Sequence, residues 1–278
     1  MSLRGDAGDG IGYKRGFTHI EAMLPIWQGD RSLTFADVRL VNFLHENRWE
    51  YNLGGGYRWY SDRYQRVFGL NAFYDARKTG DHYYQQLGIG FETLTPNVEF
   101  RTNGYFIVGA AHRVIADTDF VNRGVVNNNT VFQRLQTVET ALGGLDAEIG
   151  CRLPFLDRYA ARGYIGYYTY AAEGIPVLHG IRGRLEMQLS EQVSAHFSVQ
   201  NDRLFDTTVT GGLAVHFGAP AYRTGTGRAS WYDVLHQRVV RDVNIVITNT
   251  TVGSTNNVPV PPAPPPAQPE ELSVESLR

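Results

Sequence analysis

Gly69-Leu70-Asn71-Ala72-Phe73-Tyr74-Asp75 is followed by Asp81-His82-Tyr83-Tyr84-Gln85-Gln86-Leu87-Gly88-Ile89-Gly90-Phe91-Glu92 and then by Asn97-Val98-Glu99-Phe100-Arg101-Thr102-Asn103-Gly104-Tyr105. Side chains alternate across a strand with period two. On that rule Val98, Phe100, Thr102, Gly104 and Phe106 share one face of the third segment, and Glu99, Arg101, Asn103 and Tyr105 the other. Three strands are expected here, joined by turns at Lys78-Thr79-Gly80-Asp81 and Thr95-Pro96-Asn97. Glycines at successive same-face positions, Gly88 and Gly90, suit a curved wall where backbones pass closely.

The same grammar extends both ways. Upstream, Ile20, Ala22, Leu24 and Ile26 oppose His19, Glu21 and Met23; Ala36, Val38 and Leu40 oppose Asp37 and Arg39. Trp49, Tyr51, Leu53, Tyr57 and Trp59 oppose Glu50, Asn52, Arg58 and Tyr60. The pattern lapses from about Ala111 to Val138, which reads as the longest loop within the sheet. It resumes with Leu145, Ala147, Ile149, Cys151 and Leu153 against Asp146, Glu148 and Arg152. A tight turn is expected from Pro154 to Arg158, and the lone cysteine, Cys151, reads as a small apolar wall residue. Ile181, Gly183, Leu185 and Met187 then oppose Arg182, Arg184 and Glu186, and Val209, Gly211, Leu213 and Val215 oppose Thr210, Gly212 and His216.

One face is apolar throughout. The other mixes glycine with charges of both signs. A soluble sandwich also has an apolar face, but its polar face meets bulk water and has little need of glycine. A polar face that curves around a narrow lumen accounts for the mixture, so an all-β, antiparallel transmembrane barrel is expected. Connections after Asp75, Phe106 and Tyr170 read as longer than those after Thr93, Leu153 and Leu189, matching long extracellular loops and short periplasmic turns. Single-chain bacterial barrels have even strand numbers. Gly10 to Gly16 therefore reads as a first strand that brings the total to twelve.

The expected lumen face holds Asp37, Arg39, Glu50, Arg58, Glu92, Glu99, Arg101, Asp146, Glu148, Arg152, Arg182, Arg184, Glu186, His196 and His216. They read as a self-neutralising ladder that packs a narrow lumen, with an ion pathway as the alternative. The net charge of −2 gives no global field for nucleic acid. The eight histidines show no metal-ligand spacing, and neither a nucleophile turn nor a phosphate-binding Gly-Lys-Ser/Thr occurs. No enzyme, metal or cofactor is expected. His196 and His216 read as hydrogen-bonded wall residues, with a ligand pair meeting across the lumen as the alternative. Trp49, Tyr57 and Trp59 read as membrane-interface anchors.

After Phe217 the character changes. Gly218 to Gly227 reads as a loop, and Ser230 to Arg238 as a short helix with Ser230 at the N-cap and Asp233 at N3. Val239 to Thr251 is β-branched and extended, and Pro259 to Pro269 is proline-rich. The expected division is a polar leader over 1–9, a barrel over 10–218, a linker over 219–251 and a disordered tail over 252–278. Met1 to Gly10 does not read as a signal peptide, so the chain is expected to be a mature or truncated form, or not exported.

Asn71-Ala72-Phe73-Tyr74-Asp75, Gly80-Asp81-His82, Gln86-Leu87-Gly88-Ile89-Gly90-Phe91-Glu92 and Asn103-Gly104-Tyr105 resemble the core signature of the intimin/invasin inverse autotransporter β-domain. Tyr232-Asp233-Val234-Leu235-His236-Gln237-Arg238 with Arg241-Asp242-Val243-Asn244-Ile245-Val246-Ile247 resembles that family's linker. The resemblance implies a twelve-stranded barrel of the bacterial outer membrane with a periplasmic N-terminus. Its linker would re-enter the pore and export the C-terminal segment, often an adhesin. Trp231, Tyr232, Leu235, Arg238, Arg241, Asn244 and Ile245 would form the plug, with Arg238 and Arg241 paired to inward acids such as Glu148 or Glu186. Expected partners are the lipid bilayer, the barrel-assembly and periplasmic chaperone machinery, and a host or cell-surface target. The alternatives are a small passive pore plugged by its own linker and a soluble β-sandwich binding module.

Overall fold

The computed structural model of the protein describes residues 1–44, 48–80, 82–218 and 230–259. Among the described residues fifteen strands follow one another along the chain. The first seven are β1 (Ser2–Gly8), β2 (Phe17–Gln28), β3 (Ser32–Phe43), β4 (Arg48–Ser61), β5 (Arg66–Thr79), β6 (His82–Leu94) and β7 (Val98–Val108). Then come β8 (His112–Asp117), β9 (Val121–Val126), β10 (Asn129–Arg152), β11 (Arg162–Ala172), β12 (Ile175–Gln188), β13 (Val193–Asp202) and β14 (Asp206–His216). A short helix, α1 (Trp231–Leu235), precedes β15 (Val246–Pro259).

The chain forms two compact units, Met1–Arg113 with Glu139–Thr250, and Val114–Val138 with the stretch from Thr251. In the first, β1 to β7 pair in sequence, β7 pairs β10, β10 pairs β11, and β11 to β14 continue the ring. Antiparallel pairing of β1 with β14, from Ser2↔His216 to Gly8↔Thr210, closes a twelve-stranded barrel. Closure leaves no unpaired strand edge in the wall. In the second unit β8 and β9 pair with the first part of β10.

Facing follows the alternation. Leu87, Ile89, Leu145, Ile149, Ile181 and Leu213 are exposed, whereas Arg39, Arg58 and Arg77 are among the most buried side chains. Soluble proteins bury apolar groups and expose charges, so this inversion excludes the soluble sandwich. Tyr57 stacks on Trp59 with ring centroids 5.7 Å apart at one end of β4, and Trp49 stands exposed at the other. That spacing matches the aromatic girdles of an outer-membrane barrel. Cys151 lies on the outer wall, exposed, as expected.

Four expectations need correction. The first strand is Ser2–Gly8, not Gly10 to Gly16, and the supposed leader is thus part of the wall. Its outward residues include the small Gly5 and Ala7, so the alternation reads as merely polar. Gly10 to Gly16 instead turns sharply, with Gly12 at φ +74° and Gly16 at φ +93°, which extended L-residues do not adopt. Second, residues 112–138 are largely strand rather than loop. Third, the connection after β11 is only two residues while Leu153 to Ala161, holding a 3-10 turn over Pro154–Tyr159, is among the longer ones. Loop asymmetry was overread because β5 and β11 outlast their aromatic runs. Fourth, 252–259 continues β15 instead of starting a disordered tail. The expected loop over 218–227 and the rest of the tail lie almost wholly outside the described residues.

Candidate functional site: a linker held inside the barrel

Ser230 accepts a hydrogen bond from the Asp233 amide, and Asp233 accepts one from the Ser230 amide at 2.9 Å. This is the expected cap, a reciprocal pair that satisfies otherwise orphaned helix N–H groups. A five-residue helix is unstable alone. Packing of Val234 and Leu235 with Leu33, Phe35, Val67 and Leu94 on the inner face of the wall holds it. Trp231 stacks on Tyr60 at 4.8 Å, and Tyr232, partly exposed, accepts from Gln28 at 2.9 Å.

Beyond the helix the linker is gripped at two kinds of atom. Its main chain is held by buried wall arginines. Arg58 donates to the carbonyls of Leu235 (2.8 Å) and Gln237, Arg39 to that of Val239 (2.9 Å), and Arg77 to that of Ile245 (2.6 Å). The Glu50 carboxylate accepts from the Ile245 amide at 2.9 Å. Its side chains are held separately. Arg241 makes a two-pronged pair with Asp75 at 2.7 and 2.5 Å and lies over the rings of Phe73 and Tyr105. Asp242 receives Arg182 at 2.7 Å and the Tyr170 hydroxyl at 2.5 Å. Arg238 pairs with Glu186, and Asn244 donates to the Ile11 carbonyl at 2.9 Å.

Glycine makes room for this. A Cβ on Gly88 would stand 2.6 Å from the Arg241 guanidinium, and one on Gly12 2.8 Å from the Ile247 amide nitrogen. The curved-wall reading of Gly88 thus has a sharper cause, the passage of the linker.

The remaining lumen residues form a ladder. Asp37 takes Arg39 at 2.7 Å, Glu92 takes Arg58 at 2.6 Å, and Glu99 takes both Arg101 and Arg162 at 2.6 Å. Arg184 bridges Glu148 (2.6 Å) and Glu186, while Asp146 accepts from Asn103 at 2.8 Å and Tyr105 at 2.6 Å. Arg152 does not join them, being drawn to Asp157 in the turn after β10 at 2.7 Å. His196 and His216 stand on neighbouring strands, so the alternative of a pair meeting across the lumen does not arise. His196 bonds Asp6 at 2.5 Å and His216 bonds Ser194 at 2.8 Å, so serine and acid sit on different histidines. Among the described residues no group of three or more His, Cys, Asp or Glu could hold a metal ion. A cavity of about 110 Å³ remains beside the linker, lined among others by Arg4, Asp6, His19, Arg184 and Gln200.

Sequence reasoning missed Asp75, Arg77, Asp242 and Tyr170. The first two were within reach. They continue the inward parity of Asn71 and Phe73, whose outward neighbours are Leu70, Ala72 and Tyr74. Arg241 was assigned to Glu148 or Glu186, but it takes Asp75.

The profile of the family described as "Inverse autotransporter, beta-domain" matches residues 12–180. The chain belongs to the inverse autotransporter β-domain family. Its outer-membrane barrel places this inverse autotransporter β-domain in the bacterial outer membrane. None of the curated proteins matches the sequence. Among solved structures, one described as "Unveiling the Mechanism Behind the in-meso Crystallization of Membrane Proteins" is 15% identical with a TM-score of 0.64, covering 90% of this chain and 99% of its own. It shares the fold. Outer membrane phospholipase A from Escherichia coli is 11% identical with a TM-score of 0.47, covering 77% of this chain and 89% of its own. The β-domain of the Bordetella autotransporter BrkA is 10% identical with a TM-score of 0.36, covering 78% and 98%. Among the described residues no helix is long and apolar enough to cross a membrane.

Proposed function

We propose that this inverse autotransporter β-domain anchors in the outer membrane and exports its own C-terminal segment through its lumen, without enzymatic activity. Residues 10–218 together with β1 would be the anchor. Residues 219–251 would be the threaded linker, with α1 at the periplasmic mouth, and 252–278 would form the exported end. The observation that carries this reading is the series of wall contacts along the linker, from Arg58 at Leu235 and Gln237 to Arg77 at Ile245. With the tail left in the periplasm, the buried Arg39 and Arg58 N–H groups that now bond its carbonyls would lose those acceptors, which is costly. The wall exposes apolar side chains that would aggregate in water, which supports reliance on periplasmic chaperones and barrel-assembly machinery. Adhesion to a host or cell-surface target would belong to whatever the exported end carries.

A tag placed after Arg278 should be reachable by antibody on intact cells. Removing Ser230 to the C-terminus should leave a heat-modifiable barrel with higher single-channel conductance in planar bilayers. A protected tag together with unchanged conductance would refute export. A small passive pore is the second reading, favoured by the 110 Å³ cavity beside the linker. Full-length chain would then conduct small ions steadily while the tag stays inside.

A further inference from the structure

The wall arginines that hold the linker share one construction. Arg39 lies over the Phe73 ring and beside Asp37, Arg58 over Phe35 and beside Glu92, and Arg77 over Phe43 and near Glu50. The ring and the acid hold the guanidinium, and each fork donates to at least one linker carbonyl, Arg77 donating also to the Gly12 carbonyl at 3.0 Å. A planar fork can bond an acid and a carbonyl at once, which a lysine ammonium does poorly. The three sit on consecutive strands, β3, β4 and β5.

What they read is the main chain. Every residue of any sequence offers the same carbonyl, proline included. The contacts that depend on side chains, those of Arg238, Arg241, Asp242 and Asn244, are made by other groups. The two sets therefore separate into a general grip and a register. The chain's own sequence gives the general grip a use. Seven of the eleven residues from Pro259 to Pro269 are proline. Such a stretch lacks most of the N–H groups that strand addition requires, and with them the amide that Glu50 takes from Ile245, but a proline carbonyl can accept like any other.

We infer that Arg39, Arg58 and Arg77 form a binding site for the main-chain carbonyls of an extended polypeptide. The site is indifferent to side chains and so suits segments other than the linker now in it, proline-rich ones included. The ligand class rests on the export reading above, whereas the site itself is tested without it.

The first test uses the purified full-length chain in detergent, with hydrogen–deuterium exchange followed over residues 236–247. Arg58→Lys with Arg77→Lys keeps both charges beside their acids but removes the fork. Exchange should quicken about a hundredfold, roughly tenfold for each arginine fork lost. An increase below about tenfold would overturn the assignment. If the double variant does not fold, Arg39→Lys alone should give about tenfold, and no change there would overturn it equally. The second test follows surface appearance of a tag after Arg278 in cells, comparing the native chain with one whose prolines from 259 to 269 are threonine. Comparable rates are expected. A native chain much slower than the threonine chain would mean that the lumen needs main-chain N–H groups, and would overturn the carbonyl site. A tag absent from the surface in both strikes the export reading alone, and the exchange result then decides the site.

Discussion

Leu213 and His216 show how far one residue's role follows from position. They lie three apart on β14, so they fall on opposite faces; Leu213 is 55% exposed and His216 8%. Leu213→Arg puts a charge into lipid and should cost about 2–4 kcal/mol near the midplane, read from denaturant unfolding in micelles. His216→Gln keeps a partner for Ser194 and should unfold close to the native midpoint. The reverse ranking would mean a register shifted by one residue. Parity, which the sequence displays, suffices for these two. It does not suffice for Glu186, which parity alone ranks with His216. Glu186 takes both Arg184 and Arg238, and breaking a buried pair on one side costs about 3–5 kcal/mol. The partner of Arg241 was illegible for the same reason. Alternation says that Asp75, Glu148 and Glu186 all face inward, but the choice depends on depth along the axis, set by strand stagger around the ring.

Elements were legible where their signal is local. The cap at Ser230 and Asp233 was readable because both partners lie within one turn. β1 was not, because its outward positions include small residues, and its longer pairing, with β14, lies over two hundred residues away. β8 and β9 were missed since both faces are largely exposed, which erases the alternation that a one-sided environment imposes. The helix carries its own prediction. Ser230→Ala should cost about 1 kcal/mol of cap stability. Trp231→Ala removes the stack on Tyr60 and part of the packing that holds so short a helix in place. In planar bilayers the Trp231→Ala protein should show more frequent brief openings than the Ser230→Ala protein, because docking contributes more to this helix than capping. Equal opening frequencies would place the holding force elsewhere.

At the scale of the whole molecule, the chain inverts the ordinary arrangement. Arg39, Arg58, Arg77, Asp37 and Glu50 are buried, and a continuous apolar surface is exposed around them. Overall composition conceals this, because mean hydropathy is −0.29 and no long apolar run occurs. The alternation reveals it, because only a wall between lipid and a polar lumen calls for apolar and charged faces in every strand. Exposed apolar side chains occur on every strand of the wall, from Leu3 and Ile20 to Ile181 and Leu213, a distribution that a soluble monomer does not tolerate. The protein should therefore precipitate when detergent is diluted below its micellar concentration, and recover when detergent is restored. Closure of β1 on β14 adds a second expectation. A ring without free edges cannot fray strand by strand, so it should survive unheated dodecyl sulfate as a compact form and unfold only on boiling. The unheated form should migrate faster than the boiled one, and Asp75→Asn, which leaves the wall pairing intact while weakening the hold on Arg241, should keep that difference. Loss of the compact band in Asp75→Asn would show that the linker closes the barrel, and that the wall does not close on its own.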